Sequence, residues 1–378
     1  MEITPIELKK ITQLYSKQIN QFTKSLQQNL AANFAATSKF IQTTLQTLKI
    51  NFTVINQIGI LATINGEQNT ATKKVTLLRG TFNPNSSAPA LELVNLFATC
   101  LILKHCKKQF SGTVKLLFQF DPITSQSSKL LNTNVLKNPN VNAVFTTFPA
   151  GNLPTGTFNI SPNYFAGSND HFAIKIIGKG GHASTPHSTV DAVYIAAQLI
   201  NSLHAIVSRK INPFIPRIVS ITKITAGSAT NIIADTADLY GVARTTDPKT
   251  QAFIKTEIAK IANEICTMND AKCTITYTPV SNICCNDKKL LPFVENNLKQ
   301  IVKSQNINHR LNELQTNDFA FFANNIPAFG FSTGIKAVSK TSKTKSASTT
   351  DQAFFNYGTV ALALTTLNYL HNQGGKND

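Results

Sequence analysis

The sequence predicts an α/β protein in which a mostly parallel β-sheet domain is interrupted by an inserted βαββαβ domain. Two observations predict this fold class. In both flanking parts of the chain, strand-like apolar runs alternate with helical segments, as in a parallel sheet covered on both faces. Between them, residues 170–280 follow the order strand, helix, strand, strand, helix, strand, which is typical of a ferredoxin-like sandwich. We therefore assign residues 1–168 and 283–378 to the sheet domain and residues 169–282 to the insertion.

The insertion begins with a predicted strand at His171–Gly178, in which alternate residues from Phe172 onward are apolar. A helix follows at Thr189–Ser208, with its apolar positions on one face. Pro248 opens a second helix at a position where the missing N–H breaks no hydrogen bond. The other strands predicted for the insertion are Arg217–Thr225, Ala237–Thr245 and Cys273–Val280.

The flanking parts supply the sheet domain. Its first part begins with a long helical region that reaches Leu48, and a second helix is predicted at Leu91–Lys107. After the insertion, helices are predicted at Lys288–Ser304 and Ala353–His371. The predicted strands are Phe52–Val54, Lys74–Arg79, Thr113–Phe120, Ala143–Thr147 and Ala328–Phe331. Strands and helices that alternate in this way favour a mostly parallel sheet.

The composition restricts the function classes. Lys and Arg outnumber Asp and Glu by 36 to 19 in 378 residues, for a net charge of +17, but the lysines are scattered and no recognition motif accompanies them. We therefore expect weak, salt-dependent adhesion to anions and no specific nucleic-acid binding. No apolar run reaches membrane-spanning length and no signal peptide precedes the domain, so we expect a cytoplasmic protein without membrane contact. The six cysteines lack zinc-module spacing, which favours reduced thiols.

The most specific motif covers residues 178–187, which read Gly-Lys-Gly-Gly-His-Ala-Ser-Thr-Pro-His. Two shorter motifs follow: residues 227–233 read Gly-Ser-Ala-Thr-Asn-Ile-Ile, and residues 241–244 read Gly-Val-Ala-Arg. Together they resemble the lid-domain signature of the M20 metallopeptidase family, in its aminoacylase and hippurate-hydrolase-like amidohydrolase branch. The resemblance covers essentially the whole chain. It implies a zinc-peptidase-like sheet domain, with the insertion as a lid and dimerisation domain.

The resemblance also implies two divalent metals, such as zinc or manganese, that polarise an amide carbonyl and activate a water molecule. The positions where the family carries metal ligands are occupied here by Thr81, Asn83, Ser87, Pro89 and Phe148. These neutral side chains cannot balance the charge of two dications. We therefore expect no metal cofactor and no catalytic residue. A rebuilt site using Asp121 with Asp318 or Asp351 is the alternative.

Three residues of the lid motifs are retained. In the family, the lid histidine stabilises the oxyanion, often from the neighbouring subunit, and an Asn and an Arg bind the substrate carboxylate. The matching residues are His182, Asn231 and Arg244, which together imply a pocket for a small carboxylate. Each also has a structural interpretation: His182 as the cap of a strand-to-helix turn, Asn231 as a turn residue, and Arg244 as the ion-pair partner of Asp235 or Asp238.

These observations leave three hypotheses. The leading one is a catalytically inactive amidohydrolase homologue that binds small carboxylates such as N-acyl amino acids, or acts as a partner subunit in a homodimer or hetero-oligomer formed through the lid. The second is an active metal-dependent hydrolase of N-acyl amino acids or peptides with a rebuilt site. The third is a basic scaffold that associates with anions or nucleic acid, and it rests on charge alone.

Overall fold

The computed structural model describes residues 3–55, 58–70, 73–82, 90–120, 133–310, 314, 317–336 and 355–371. The chain forms two compact units. The sheet unit comprises Met1–Phe165, Cys285–Leu311 and Phe321–Asp378, and the inserted unit comprises Ala166–Cys284 and Asn312–Ala320.

The helices are, in chain order, α1 (Pro5–Leu14), α2 (Ser16–Ala32), α3 (Phe34–Thr47), α4 (Leu91–His105), α5 (Ala192–Ala205), α6 (Pro248–Met268), α7 (Leu291–Lys299), α8 (Ala320–Ala323) and α9 (Val360–His371). The strands are β1 (Asn51–Ile55), β2 (Gly59–Asn65), β3 (Val75–Thr81), β4 (Thr113–Gln119), β5 (Ala143–Pro154), β6 (Phe158–Asn159), β7 (Tyr164–Ala166), β8 (Asn169–Ile177), β9 (Gly181–His182), β10 (Arg217–Ala226), β11 (Ile232–Ile233), β12 (Thr236–Thr245), β13 (Lys272–Ser281), β14 (Cys284–Cys285), β15 (Ile307–Asn308) and β16 (Ala328–Lys336). Among the described residues, no helix combines the length and the apolarity that crossing a bilayer requires.

The long helical region predicted up to Leu48 is three consecutive helices. α1 begins with a capping box, in which the Thr4 hydroxyl accepts the N–H of Glu7 and the Glu7 carboxylate accepts the N–H of Thr4. The chain leaves the helix at Asn33, which is extended, and the Asn33 side chain accepts the N–H of Ala36 over 2.9 Å. An Asn in this position starts a new helix because its side chain satisfies an otherwise free N–H.

The sheet unit contains an eight-stranded sheet in the order β1-β2-β4-β3-β5-β16-β6-β15. The four central strands, β4, β3, β5 and β16, are parallel, and β3 is buried along its whole length. β1 and β2 add an antiparallel edge. Because parallel strands end on the same side, the carboxyl ends of the central strands meet at one edge of this sheet.

The core of the sheet unit centres on α4. This helix is buried from Leu91 to Leu103, as expected of a helix that is apolar all round. The Phe97 ring stacks on that of Phe22 in α2 with a centroid distance of 3.8 Å. The Thr359 hydroxyl donates to the side-chain oxygen of Asn95 over 2.6 Å, which satisfies a buried amide.

The inserted unit is a four-stranded antiparallel sheet in the order β10-β12-β8-β13, with α5 and α6 on one face. Alternate residues of β8, such as Phe172 and Ile174, point into the core formed with these helices. Asp191 and Asp247 cap the two helices through their side chains, and Pro248 opens α6 as predicted. The predicted order strand, helix, strand, strand, helix, strand is observed. Two short ladders pair β9 with β11 and β7 with β14.

Candidate functional site

The carboxyl ends of the central strands carry neutral side chains at described positions where the sequence resemblance places metal ligands. Thr81 ends β3 opposite Gln119, which ends β4. The Arg79 Nε donates to the Gln119 side-chain oxygen over 2.8 Å. Phe148 lies in β5 opposite Ser332 of β16. Thr81, Gln119 and Phe148 are all buried, so they form the inner surface of this edge.

Hydroxyl pairing and ring packing occupy further described positions at this edge. The hydroxyls of Thr147 and Thr333 lie 2.8 Å apart, and both residues are buried. The Phe148 ring stacks on that of Phe165 with a centroid distance of 4.6 Å. A divalent cation needs several carboxylate, imidazole or thiolate ligands. A threonine and a stacked phenylalanine at two ligand positions do not fit a dinuclear metal site.

Other residues named for this site lie outside the described residues: Asn83, Ser87, Pro89, Asp121 and Asp351. Within the described part of the chain, no group of three or more His, Cys, Asp or Glu side chains is placed to hold a metal ion. Asp318 is described and lies in a turn before α8. The absence of a metal cofactor stays a prediction, and so does the alternative of a rebuilt site.

A short antiparallel ladder brings His182 and Asn231 together. His182 in β9 lies opposite Ile232 in β11, and the N–H of Ala183 donates to the carbonyl of Asn231 over 3.0 Å. The N–H of Ser184 donates to the Nδ1 of His182 over 3.2 Å. In a neutral ring, Nδ1 is then the acceptor nitrogen and Nε2 carries the hydrogen. Both His182 and Asn231 are exposed, so the Nε2–H and the amide can donate to a ligand.

Arg244 lies near the end of β12, opposite Ile218 of β10. Its Nη1 donates to the carbonyl of Leu314 over 3.3 Å, and its buried Nε has no partner among the described residues. Asp238 lies six residues earlier on the same strand, about 20 Å away, and Asp235 lies farther still. The interpretation of Arg244 as an ion-pair partner of these two residues is therefore wrong, and the guanidinium keeps donors for an anion.

The three predicted ligand-binding residues do not converge within one chain. β12 pairs with β8 along its length, and the β9–β11 ladder extends the same pair beyond Thr236. The chain advances eight residues from Thr236 to Arg244, a span of about 26 Å at roughly 3.3 Å per residue. His182 and Asn231 lie beyond Thr236, so this length of strand lies between Arg244 and the ladder that carries them. The inserted unit thus has two donor groups at opposite ends.

Two carboxylates near these groups stabilise the fold. Asp170 is buried and accepts hydrogen bonds from the Gln251 amide and the Tyr277 hydroxyl. Burial raises the pKa of the Asp170 carboxyl, and the hydrogen bonds from Gln251 and Tyr277 oppose that shift. Asp191 accepts the N–H of Val193 over 2.8 Å at the start of α5. These contacts assign both carboxylates to the architecture of the inserted unit.

Comparison with known proteins shows which family the chain is similar to. The model of the M20 peptidase dimerisation domain matches residues 169–267. The N-acetylcysteine deacetylase of Bacillus subtilis is 28% identical over 236 residues, which cover 62% of this chain and 61% of the deacetylase. The hippurate hydrolase of Campylobacter jejuni is 33% identical over 176 residues, which cover 45% of this chain and 46% of the hydrolase.

The chain is an M20-family amidohydrolase homologue. Its match spans about three fifths or less of the length of these curated relatives. The YXEP protein of Bacillus subtilis, a dinuclear metal binding peptidase from the M20 family, has a TM-score of 0.72 at 20% identity, covering 93% of this chain and 99% of that chain. A Staphylococcus aureus tripeptidase has a TM-score of 0.67 at 16% identity, covering 90% and 93%. The predicted family and fold class are confirmed.

Two sets of polar residues in this M20 homologue were not predicted from its sequence. Ser184 orients the His182 ring, and the signal for it is a serine two residues after the histidine of the glycine-rich motif. The Thr147–Thr333 pair joins adjacent strands that are far apart in sequence. No local pattern connects the two threonines, so only the strand register reveals that contact.

Proposed function

We propose that this M20 homologue does not hydrolyse amides and that it binds small carboxylates, such as N-acyl amino acids, in a pocket that two copies form together. We also propose that the protein is cytoplasmic, as expected from the sequence. The observation that carries the proposal is the division of the donors: His182 and Asn231 lie at one end of the inserted unit and Arg244 at the other. A second chain is needed to bring the two groups together.

A two-fold contact through β10 would achieve this. β10 is an edge strand that runs from Arg217, beside the Arg244 end of β12, to Ala226, beside the Thr236 end. Antiparallel pairing of two β10 strands would therefore set the Arg244 end of one copy beside the His182 end of the other. The matched family model describes a dimerisation domain, which supports this arrangement.

Exposed apolar side chains also support such a contact. Ile218 and Ile224 on β10 and Tyr194 on α5 are exposed, and Phe214 in the loop before β10 is 91% exposed. Apolar side chains gathered on one edge are typical of a surface that a partner covers. A second copy of the chain has the matching edge, because a two-fold interface uses the same surface twice.

The proposed loss of hydrolysis is supported by the strand ends of the sheet unit. Hydrolysis in this family requires metals to polarise the amide and activate water. Thr81 and the stacked Phe148 supply no ligand at two of those positions. The names of the relatives, an N-acetylcysteine deacetylase and a hippurate hydrolase, support an N-acylated amino acid as the ligand class.

Two measurements test the proposal. The purified protein is loaded with zinc and manganese, desalted, and assayed for bound metal and for hippurate hydrolysis. We expect close to no metal and no hydrolysis, whereas about two metals per chain with chelator-sensitive turnover would refute the loss of activity. Hippurate binding is then measured by calorimetry. Arg244→Ala should abolish it, and Arg209→Ala, at an exposed arginine of the same unit, should not.

A further inference from the structure

One face of the inserted sheet is left uncovered by α5 and α6, and we call it the outer face. It carries the side chains of β8, β12, β10 and β13 that alternate with the buried positions. Three exposed lysines, on three of its four strands, share it: Lys175 of β8, Lys223 of β10 and Lys272 of β13. One carboxylate, Asp238, lies among them, directly opposite Lys175. The lysines are far apart in sequence, and the strand register places them on the same face of the sheet.

The centre of the outer face is a shallow depression of about 210 Å³ with small residues as its floor. Ala173 lies opposite Tyr240, and the backbone of Gly241 lines the depression next to that pair. Tyr240 stands at the rim, 40% exposed, and His171 stands exposed on the adjacent strand. A flat ring can therefore enter beside Tyr240, where the exposed Lys223 side chain is the group that it displaces.

The combination of a ring on a central strand, a flat floor and surrounding cations matches single-stranded nucleic acid. Open four-stranded sheets bind single strands by stacking bases on exposed aromatic rings of the central strands. Lysines then contact the phosphates, and such binding tolerates any sequence because every base has a π-face. An acidic peptide offers a planar group only where it carries an aromatic residue, whereas every nucleotide of a single strand combines a base with a phosphate.

We propose that the outer face binds single-stranded nucleic acid without sequence preference, with a base stacked on Tyr240. The Lys223 ammonium lies 5.1 Å from the centroid of the Tyr240 ring, an exposed contact that an entering base replaces while Lys223 turns to a phosphate. Lys175 and Lys272 contact phosphates farther along the strand. The exposed hydroxyls of Thr276 and Thr278 lie beside the depression, where they can bond to base edges.

This binding is independent of the carboxylate pocket proposed above, since it uses neither Arg244 nor His182. It also differs from the sequence expectation of weak adhesion to anions, because adhesion depends on net charge alone. A base-stacking site depends on one ring at one place. Substitution of the Tyr240 ring therefore distinguishes base stacking from adhesion through net charge.

The test is fluorescence anisotropy with a labelled mixed-sequence RNA of about twelve nucleotides, titrated with the full-length protein at several salt concentrations. Tyr240→Ala should weaken binding roughly 5- to 150-fold, the range found for loss of one base–aromatic stack. The matched control is Phe253→Ala, because Phe253 is a 37% exposed ring on α6, on the opposite side of the sheet. It should leave the affinity unchanged.

A second pair of variants tests the phosphate contacts. Lys175→Ala should reduce the slope of log affinity against log salt by about 0.7, the value for one phosphate contact to a single strand. Lys260→Ala, at an exposed lysine of α6, should not change the slope. Equal effects of Tyr240→Ala and Phe253→Ala would overturn the proposal. Binding of a duplex or of heparin as tight as that of the single strand would also overturn it, since neither offers unstacked bases.

Discussion

The proposed two-chain pocket predicts that two variants, each deficient in hippurate binding alone, restore one binding site when they form a heterodimer. We consider a heterodimer with Arg244→Ala in one chain and His182→Ala in the other. If each pocket takes Arg244 from one chain and His182 from its partner, one of the two pockets is intact and the other lacks both residues. The heterodimer should then bind half a hippurate per chain with the affinity of the unchanged protein, by symmetry.

The structure sets the size of this effect. Because at least about 26 Å of strand separates Arg244 from the ladder that carries His182, one chain cannot close the pocket alone. Loss of a charged hydrogen-bond partner costs about 1.5–3 kcal/mol, which corresponds to roughly 10- to 150-fold in affinity. Homodimers of Arg244→Ala should therefore bind hippurate at least tenfold more weakly at both pockets.

The assay uses two chains with different affinity tags, co-expressed and purified through both tags, followed by calorimetric titration with hippurate. The control heterodimer joins an unchanged chain to a chain with both His182→Ala and Arg244→Ala. A two-chain pocket predicts no intact site in this control, and a pocket within one chain predicts half a site per chain. The reciprocal result, with sites in the control and none in the complementing pair, would refute the reasoning.

Three further predictions concern the fold. Phe97→Ala should lower the free energy of unfolding by about 3–5 kcal/mol in a urea titration, because the Phe97 ring is buried and stacked on Phe22. The control Phe34→Ala, at a 39% exposed ring of the same unit, should lower the free energy of unfolding clearly less. Equal losses for the two variants would contradict the packing argument. Burial raises the pKa of the Asp170 carboxyl in the folded state, so the protonated carboxyl stabilises the fold fully below its ordinary pKa near 3.8, and this stabilisation is lost as the pH rises through the folded pKa. Asp170→Asn should therefore remove this pH dependence from urea midpoints measured across that range. An unchanged pH profile would count against the role of Asp170. Burial raises the pKa of the Cys100 thiol to about 12 and that of the Cys106 thiol to about 11, so Ellman's reagent at pH 8 should modify neither thiol until the sheet unit unfolds. Peptide mass mapping of the native and the urea-unfolded protein would check this. Rapid modification in the native protein would show that solvent reaches the end of α4.

The inserted unit could be predicted closely from sequence because its signals are local. The strand predicted at Arg217–Thr225 is observed at Arg217–Ala226, and the helix predicted to open at Pro248 does so with Asp247 as its cap. In the sheet unit, the strand Gly59–Asn65 was missed. It is buried on both faces for most of its length, so its residues lack the alternation that marks a half-exposed strand.

The candidate site could be predicted only in part. Motif spacing identifies His182, Asn231 and Arg244, but sequence separation does not tell which of them meet. His182 and Asn231 are 49 positions apart and come together through an antiparallel ladder. Arg244 is only 13 positions from Asn231, yet it lies at the far end of an extended strand. The strand register determines which of these residues lie close together, and that register depends on pairing between segments that are distant in sequence.

The strand ends of the sheet unit explain how such a protein keeps the family fold under the proposed function. Clustered carboxylates and imidazoles at one edge repel one another and need a cation to balance them. Here the Thr147 and Thr333 hydroxyls pair with each other, and Phe148 stacks on Phe165. These contacts stabilise the edge without a bound ion. Under the proposed function, the donors of the inserted unit serve ligand binding and assembly, and the sheet edge serves only the fold.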